Sequence, residues 1–361
     1  MTEVGPGGTL DTARALPKVV LHDHLDGGLR ADTLLDLAEG IGHELSVSDP
    51  DGLQRWFVES ASGGSLPAFL ETFAHTVACL QTEESLARAA REAVVDHASD
   101  GVVYAEIRYA PELHTAGGLS MRAAAEAVAA GLADGVDEAA REGNDIVAAA
   151  IATAMRQERC SVEVARLVID NPGLCAGFDI AGPEAGFPPS RHAEAFTLLR
   201  EALVPVTVHA GEAAGPESIG EALSVGSARR IGHGIRVLDD VDDPTGTPRF
   251  GRIASFVRDN RIPLEVCPTS NVQTGAAPSV SGHPISLLRD LGFAVTVNPD
   301  NRLMCGTTAS REMALLMDES GWSLADLEIA TLDAAWAAFQ PYDVRQEIAD
   351  AVVRGFGEAG G

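Results

Sequence analysis

KVVLHDHLDGG, residues 18–28, opens as an apolar β-like run and closes on two histidines, two aspartates and a pair of glycines. Side chains alternate between the two faces of a strand, so His22 and His24 point to one side while Leu21 and Asp23 point to the other. Both imidazoles can then reach a single metal ion. Whether this stretch belongs to a barrel or to an open sheet depends on where its polar end falls relative to the other strands.

Seven further runs rich in Val and Ile follow it, at residues 102–109, 146–153, 175–181, 206–209, 230–233, 263–267 and 294–297. With residues 18–24 they make eight, the number a closed barrel needs. Ala-rich amphipathic stretches separate most of them. Residues 120–142 read as a helix with Ser120 as N-cap and Gly143 just past its end, and Thr82 with Glu83 and Glu84 opens another that stops before Gly101. Continuously apolar strands alternating with helices argue for a parallel sheet covered on both faces, which a barrel and a doubly wound fold both satisfy. The polar residues separate the two. In a barrel the chemistry gathers at the C-terminal ends of the strands, around one rim. His22 and His24 end run one, Gly182 follows run four, His209 and Glu212 close run five, His233 ends run six and Asp300 follows run eight. The expected fold is therefore an α/β, (β/α)8 TIM barrel. Residues 30–100 exceed one helix and are expected to supply extra helices after strand 1 that form a lid. Residues 1–15 read as a flexible N-terminal tail, and residues 16–361 as a single domain.

Composition narrows the function. The 361 residues carry 26 Lys plus Arg against 53 Asp plus Glu, a formal net charge of −27. Such a field repels phosphate-rich polymers and anionic membrane surfaces, so no nucleic-acid or membrane partner is expected and a neutral small molecule is the easier substrate. Five cysteines without a paired C-x-x-C spacing suit reduced thiols. Nothing at the N-terminus reads as an export signal and no apolar run is long enough to span a bilayer, so a cytoplasmic protein is expected.

The chemistry sits in four short segments. LHDHLDG supplies His22 and His24; VTVHAGE delivers His209 and, after a glycine turn, Glu212; RIGHGI places His233 between two glycines; VTVNPDN ends a strand and offers Asp300. Taken singly, each has a bland alternative: a core histidine for His233, a helix N-cap for Asp300. Together they put three imidazoles and a carboxylate on one rim, a nitrogen and oxygen site suited first to zinc. Zinc would bring a bound water to a pKa of about 7, and Glu212 and His233, not needed as ligands, are left for proton transfer. The reaction class is metal-assisted hydrolysis. Asp26 and Asp179 lie near the same rim, where each could orient a histidine or bond a loop amide. His43, His75, His97, His114, His192 and His283 lack paired ligand spacing and receive no role.

LHDHLDG, GVVYAEIRY, GFDIAG, VHAGE, RIGHG, EVCPTSN and VNPDN, in that order, resemble the adenosine deaminase family of amidohydrolase-type barrels, from about Pro17 through the final helices. The resemblance implies one zinc per chain, held by His22, His24, His209 and Asp300. It implies hydrolysis of adenosine and 2′-deoxyadenosine to inosine and ammonia by a zinc-bound hydroxide attacking C6. Glu212 would protonate purine N1, and His233 would orient the hydroxide and help deprotonate it. Substrate contacts would come from His24, Asp26 near the ribose 5′-hydroxyl, the Gly182 amide at N3, and position 301. The family pattern has a second aspartate at that last position, directed at N7, where this chain has Asn301, and Pro299 before Asp300 is also unusual. Relatives act on adenine or on modified adenosines such as aminodeoxyfutalosine, and that alternative stays open, as does a zinc-containing binding protein without catalysis. Glu212 and His233 argue against the latter, since a binder needs neither. AMP is disfavoured, because no cluster of Arg and Lys accompanies the motifs to hold a phosphate. Oligomeric state is not legible.

Overall fold

The computed structural model of the chain describes residues 6–360. Its centre holds eight strands: β1 (Lys18–His24), β2 (Val102–Tyr109), β3 (Val147–Met155), β4 (Gly177–Ala181), β5 (Thr207–Ala210), β6 (Arg230–His233), β7 (Leu264–Val266) and β8 (Val295–Val297). They pair in parallel as two four-stranded sheets, β1 to β4 and β5 to β8, in sequence order. Backbone bridges between Phe178 and Val206 and between Asp23 and Asp300 join the sheets on both sides. The result is the closed (β/α)8 barrel expected from the strand pattern, with strand limits displaced by two residues at most.

Local chemistry explains the elements. The Ser120 hydroxyl accepts from the Ala123 amide at the start of helix Met121–Arg141, and Gly143 beyond its end adopts a positive φ of 84°. Thr82 and Ser85 form a reciprocal capping box that opens helix Glu83–Ser99. Residues 30–100 hold four helices ahead of that one, Ala31–Ile41, Pro50–Ala61, Leu66–Glu71 and Phe73–Cys79. The last two form the apolar wall of the cavity at the C-terminal mouth of the barrel, through Phe69, Leu70, Phe73 and Val77.

The first residues depart from expectation. Pro6–Ala15 is a helix rather than part of a flexible tail; residues 1–5 lie outside the described residues. Ala13 and Leu16 are fully buried and join the main hydrophobic cluster, with Leu10 packed against it. The buried Lys18 ammonium then donates to the carbonyls of Ala13 (2.8 Å) and Leu16 (2.6 Å), satisfying the end of the helix. The glycines at positions 7 and 8 suggested looseness, and the apolar spacing behind them prevails. The five cysteines are free. No helix among the described residues is long and apolar enough to cross a membrane.

Candidate active site

His22 and His24 from the end of β1, His209 from β5 and Asp300 just beyond β8 bring four donor atoms within 4.8 Å of one another. His24 Nε2 lies 3.2 Å from His209 Nε2 and 3.4 Å from Asp300 Oδ1, and His22 Nε2 lies 3.2 Å from the same oxygen. Donors held about 2.0–2.1 Å from one zinc ion would be roughly 3.0–3.5 Å apart, so the spacing fits the ion. The protonation pattern fits as well. His22 Nδ1 donates to Glu265 Oε2 at 2.9 Å, and His209 Nδ1 to Asp179 at 3.0 Å. Both Nε2 atoms thus keep their lone pairs for the cluster. His22 Nε2 is buried and has no hydrogen-bond partner, an arrangement a metal ion would complete. Burial lowers the pKa of His24 well below the usual value and that of His209 to about 4, which suits neutral ligands, whereas at His22 burial is outweighed by the bonds to Asp300 and Glu265, which raise it.

The partners behind these histidines form one buried network. Arg108 donates to Glu265 (2.7 Å) and to Asp179 (2.9 Å), and thereby ties the two histidine-orienting carboxylates together. Glu265 also accepts from Arg230 at 2.6 Å, and Arg230 in turn pairs with Glu106. Burial works to raise both orienting carboxyls. For Glu265, Arg108 and Arg230 outweigh it and hold the group well below the usual range; for Asp179, His209 and Arg108 do so. Asp179 therefore takes the histidine-orienting role that the sequence left open. Glu265 and Arg108 were not singled out from sequence, although a charged residue inside an otherwise apolar strand was the available signal.

Glu212 stands on the glycine turn after β5. Four successive amides of that turn, Gly211 to Ala214, donate to the buried Glu184 carboxylate at 2.7, 3.2, 2.7 and 2.8 Å. Its own Oε1 accepts from Thr274 Oγ1 (2.9 Å) and Asn271 Nδ2 (3.3 Å). Oε2, 3.6 Å from His233 Nε2, is left to carry a proton. Burial raises the carboxyl above its ordinary pKa, which suits a group that arrives protonated. His233 and Asp300 both adopt left-handed backbone, with φ of 60° and 62°. Side chains other than glycine rarely occupy that region, at a cost of roughly 1–3 kcal/mol each, and such strain gathers where a side chain must be aimed. Asp300 does not cap a helix: the next one, Arg302–Cys305, has Asn301 at its N-cap without a side-chain bond.

Asp26, Gly182 and Asn301 line the same cavity, of about 620 Å3, as do His24, His209, Glu212, His233 and Asp300; His22 lies behind them, fully buried. Burial raises Asp26 to about 7. Gly182 has a φ of 104°, a backbone conformation that favours glycine, and a Cβ there would come within 2.6 Å of Gln157 Oε1. Asn301 Oδ1 is buried without a partner and faces Gly27, where an added Cβ would lie 1.8 Å from it. Among the other histidines, His97 bonds Asp23 at 2.9 Å on the face of β1 away from the cluster. His283 reaches the site indirectly, through Asn271.

Residues 17–354 match the family model described as adenosine deaminase. The chain is 50% identical over 350 residues to the adenosine deaminase of Mycolicibacterium vanbaalenii, covering 96% of each chain. It is 49% identical over 349 residues to that of Mycobacterium leprae, again at 96% of each. Among solved structures, the adenine deaminase from Arthrobacter aurescens superposes with a TM-score of 0.82 at 26% identity, over 94% of this chain and 98% of that one. With the barrel and the rim of histidines, glutamate and aspartate in place, these matches show that the chain belongs to the adenosine deaminase family.

Proposed function

We propose that the chain hydrolyses adenosine and 2′-deoxyadenosine to the corresponding inosines and ammonia. The observation that carries this is Glu212: a buried carboxyl with one oxygen already accepting two hydrogen bonds and the other free to hold a proton, next to His233 and to four converging metal donors. One zinc per chain would be held by His22, His24, His209 and Asp300. The ion, when bound, would supply Lewis acidity that brings a water in the site far below its bulk pKa, to about 7.

The chain's own groups account for the remaining protons. Glu212 Oε2 gives its proton to purine N1, which draws electrons from C6 and stays on N1 in the product. Water oxygen bonds C6, and the C6–N6 bond breaks. One water proton leaves with N6 as ammonia and the other restores Glu212. His233, beside both Glu212 and the ligand histidines, positions the attacking oxygen. In this reading the Gly182 amide would bond N3, Asp26 would lie near the ribose 5′-hydroxyl, and Asn301 would donate to N7.

Two observations favour a nucleoside. A cavity of about 620 Å3 falls among pockets that enclose drug-sized molecules, roughly 300–1,000 Å3, and offers more room than a free base requires. Among the described residues lining it there is no Arg or Lys to pair with a phosphate. The test is ammonia release by metal-replete protein from adenine, adenosine, 2′-deoxyadenosine, AMP and aminodeoxyfutalosine. Adenosine and its deoxy form should dominate kcat/KM; preference for adenine or AMP would overturn the substrate assignment, and no release from any would overturn catalysis itself.

A further inference from the structure

Behind the two proton-handling side chains runs a hydrogen-bond chain that ends on backbone. The Ile285 amide donates to His283 Nδ1 at 3.0 Å. That nitrogen is thus an acceptor, and the single proton of the neutral ring sits on Nε2. Burial pushes the His283 pKa down to about 3, which keeps the ring neutral. His283 Nε2 lies 3.2 Å from Asn271 Oδ1, so the imidazole donates and the amide oxygen accepts. The Asn271 amide is thereby fixed in one orientation. Its two Nδ2 hydrogens go to His233 Nδ1 (3.0 Å) and Glu212 Oε1 (3.3 Å). The reversed amide would place a carbonyl oxygen against the Glu212 carboxyl and an NH2 against the His283 N–H. Asn271 is fully buried and His283 is 4% exposed, so water does not compete for these bonds.

We propose that His283, acting through Asn271, is a positioning residue that fixes His233 as its Nε2–H tautomer, so that His233 meets the reaction as a hydrogen-bond donor. The inference rests on the reading of His233 as a group beside the reacting atoms. It alters the role that the family resemblance implied. An Nε2 that already carries a proton has no lone pair with which to deprotonate water, and moving the proton to Nδ1 would set it against the Asn271 NH2. His233 instead stabilises negative charge developing on the attacking oxygen, and at Nε2 it stands 3.6 Å from Glu212 Oε2.

The experiment is a two-bond 1H–15N spectrum of metal-replete protein labelled with 15N-histidine, with His233 assigned by its loss in His233→Gln. The Nε2–H pattern is expected in the parent protein, and an Nδ1–H pattern would overturn the proposal. Two variants separate positioning from packing. His283→Met fills similar space without a donor and should release the tautomer, with kcat falling about 10-fold and KM changing less than 2-fold. His283→Gln offers an amide N–H near the position of Nε2 and should hold both the spectrum and kcat within about 3-fold of the parent. An unchanged His233 spectrum in His283→Met, or equal losses in both variants, would overturn it. The spectrum requires no substrate, so failure to turn over adenosine would overturn the functional reading while the tautomer assignment is still decided on its own signal.

Discussion

Asn301 offers a direct test of how the purine sits. The side chain is 2% exposed, and its Oδ1 is lodged against Gly27 without a hydrogen-bond partner, which leaves the NH2 for the cavity. Purine N7 is an acceptor, and an amide donates at any pH. Replacing N7 by carbon, as in 7-deazaadenosine, removes the acceptor and strands a buried donor, at roughly 1–3 kcal/mol. At about 1.4 kcal/mol per tenfold, kcat/KM should fall roughly 5- to 150-fold. The intrinsic reactivity of the two heterocycles also differs, so the measurement is a cycle: initial-rate kcat/KM for both substrates with the parent and with Asn301→Ala. The heterocycle difference cancels in the ratio of the two penalties, and the 7-deaza penalty should be roughly 5- to 150-fold smaller in the variant than in the parent. In Asn301→Asp, a carboxyl can donate to N7 only while protonated, so activity should decline as pH rises through its pKa. Equal 7-deaza penalties in the parent and Asn301→Ala would refute both the contact and the substrate orientation built on it.

Metal analysis should find one ion per chain; replacing His22, His24, His209 or Asp300 singly with Ala should remove most metal and activity together, and two such variants retaining both would remove the ligand assignment. Dialysis against a chelator should lower Tm, with recovery that scales with the logarithm of added zinc. Glu212→Gln should lose about 100- to 10,000-fold in kcat. Its stability also carries a sign: the folded carboxyl titrates above its ordinary value, so the native state binds more protons than the unfolded one above pH 4.5 and stability declines as pH rises toward the raised pKa. Denaturant midpoints of the parent and Glu212→Gln, compared at pH 4 and pH 7, should therefore shift in favour of the variant at the higher pH; the opposite shift would show the pKa is not raised. Glu184→Gln replaces the charged acceptor of four turn amides and should cut kcat about 10-fold or more through misplacement of Glu212, with an unaltered kcat showing that the turn holds its shape without that charge.

The barrel was legible because four of its eight strands, β1, β5, β6 and β8, end in or lead directly to residues that a buried strand would not otherwise tolerate. His22, His24, His209, His233 and Asp300 each mark a C-terminal strand end, and the eight runs fixed the closure. Less legible was anything that depends on which interior side chains meet. Glu265 lies 157 positions from Arg108 and 35 from Arg230, and no local pattern brings them together. Asn271 sits in a segment noted only for its resemblance, and its role depends on His283, a histidine without ligand spacing. The N-terminal helix was missed for a different reason: its glycines favour disorder locally, and the burial of Ala13 and Leu16 that outweighs them is a tertiary effect.

Asp300 also has a structural position that bears on why metal site and fold are joined. Its amide donates to the His22 carbonyl at 3.0 Å, and its carbonyl accepts from the His24 amide at 2.7 Å. These two bonds are where the last strand meets the first, so the carboxylate of the candidate metal cluster stands on the seam that closes the barrel. His22 and His24 approach from one side of that seam and Asp300 from the other. An ion shared by all three would join segments more than 270 residues apart in sequence and restrain the longest loop closure the barrel requires. Part of the binding energy of such an ion would go into holding the seam shut, and seam geometry in turn sets the spacing of the candidate ligands. The positive φ of Asp300 fits this double duty: the backbone must complete the ladder to β1 while the side chain turns inward to the cluster. Pro299, with its restricted φ and no amide to donate, makes that turn without leaving an unpaired N–H at the rim.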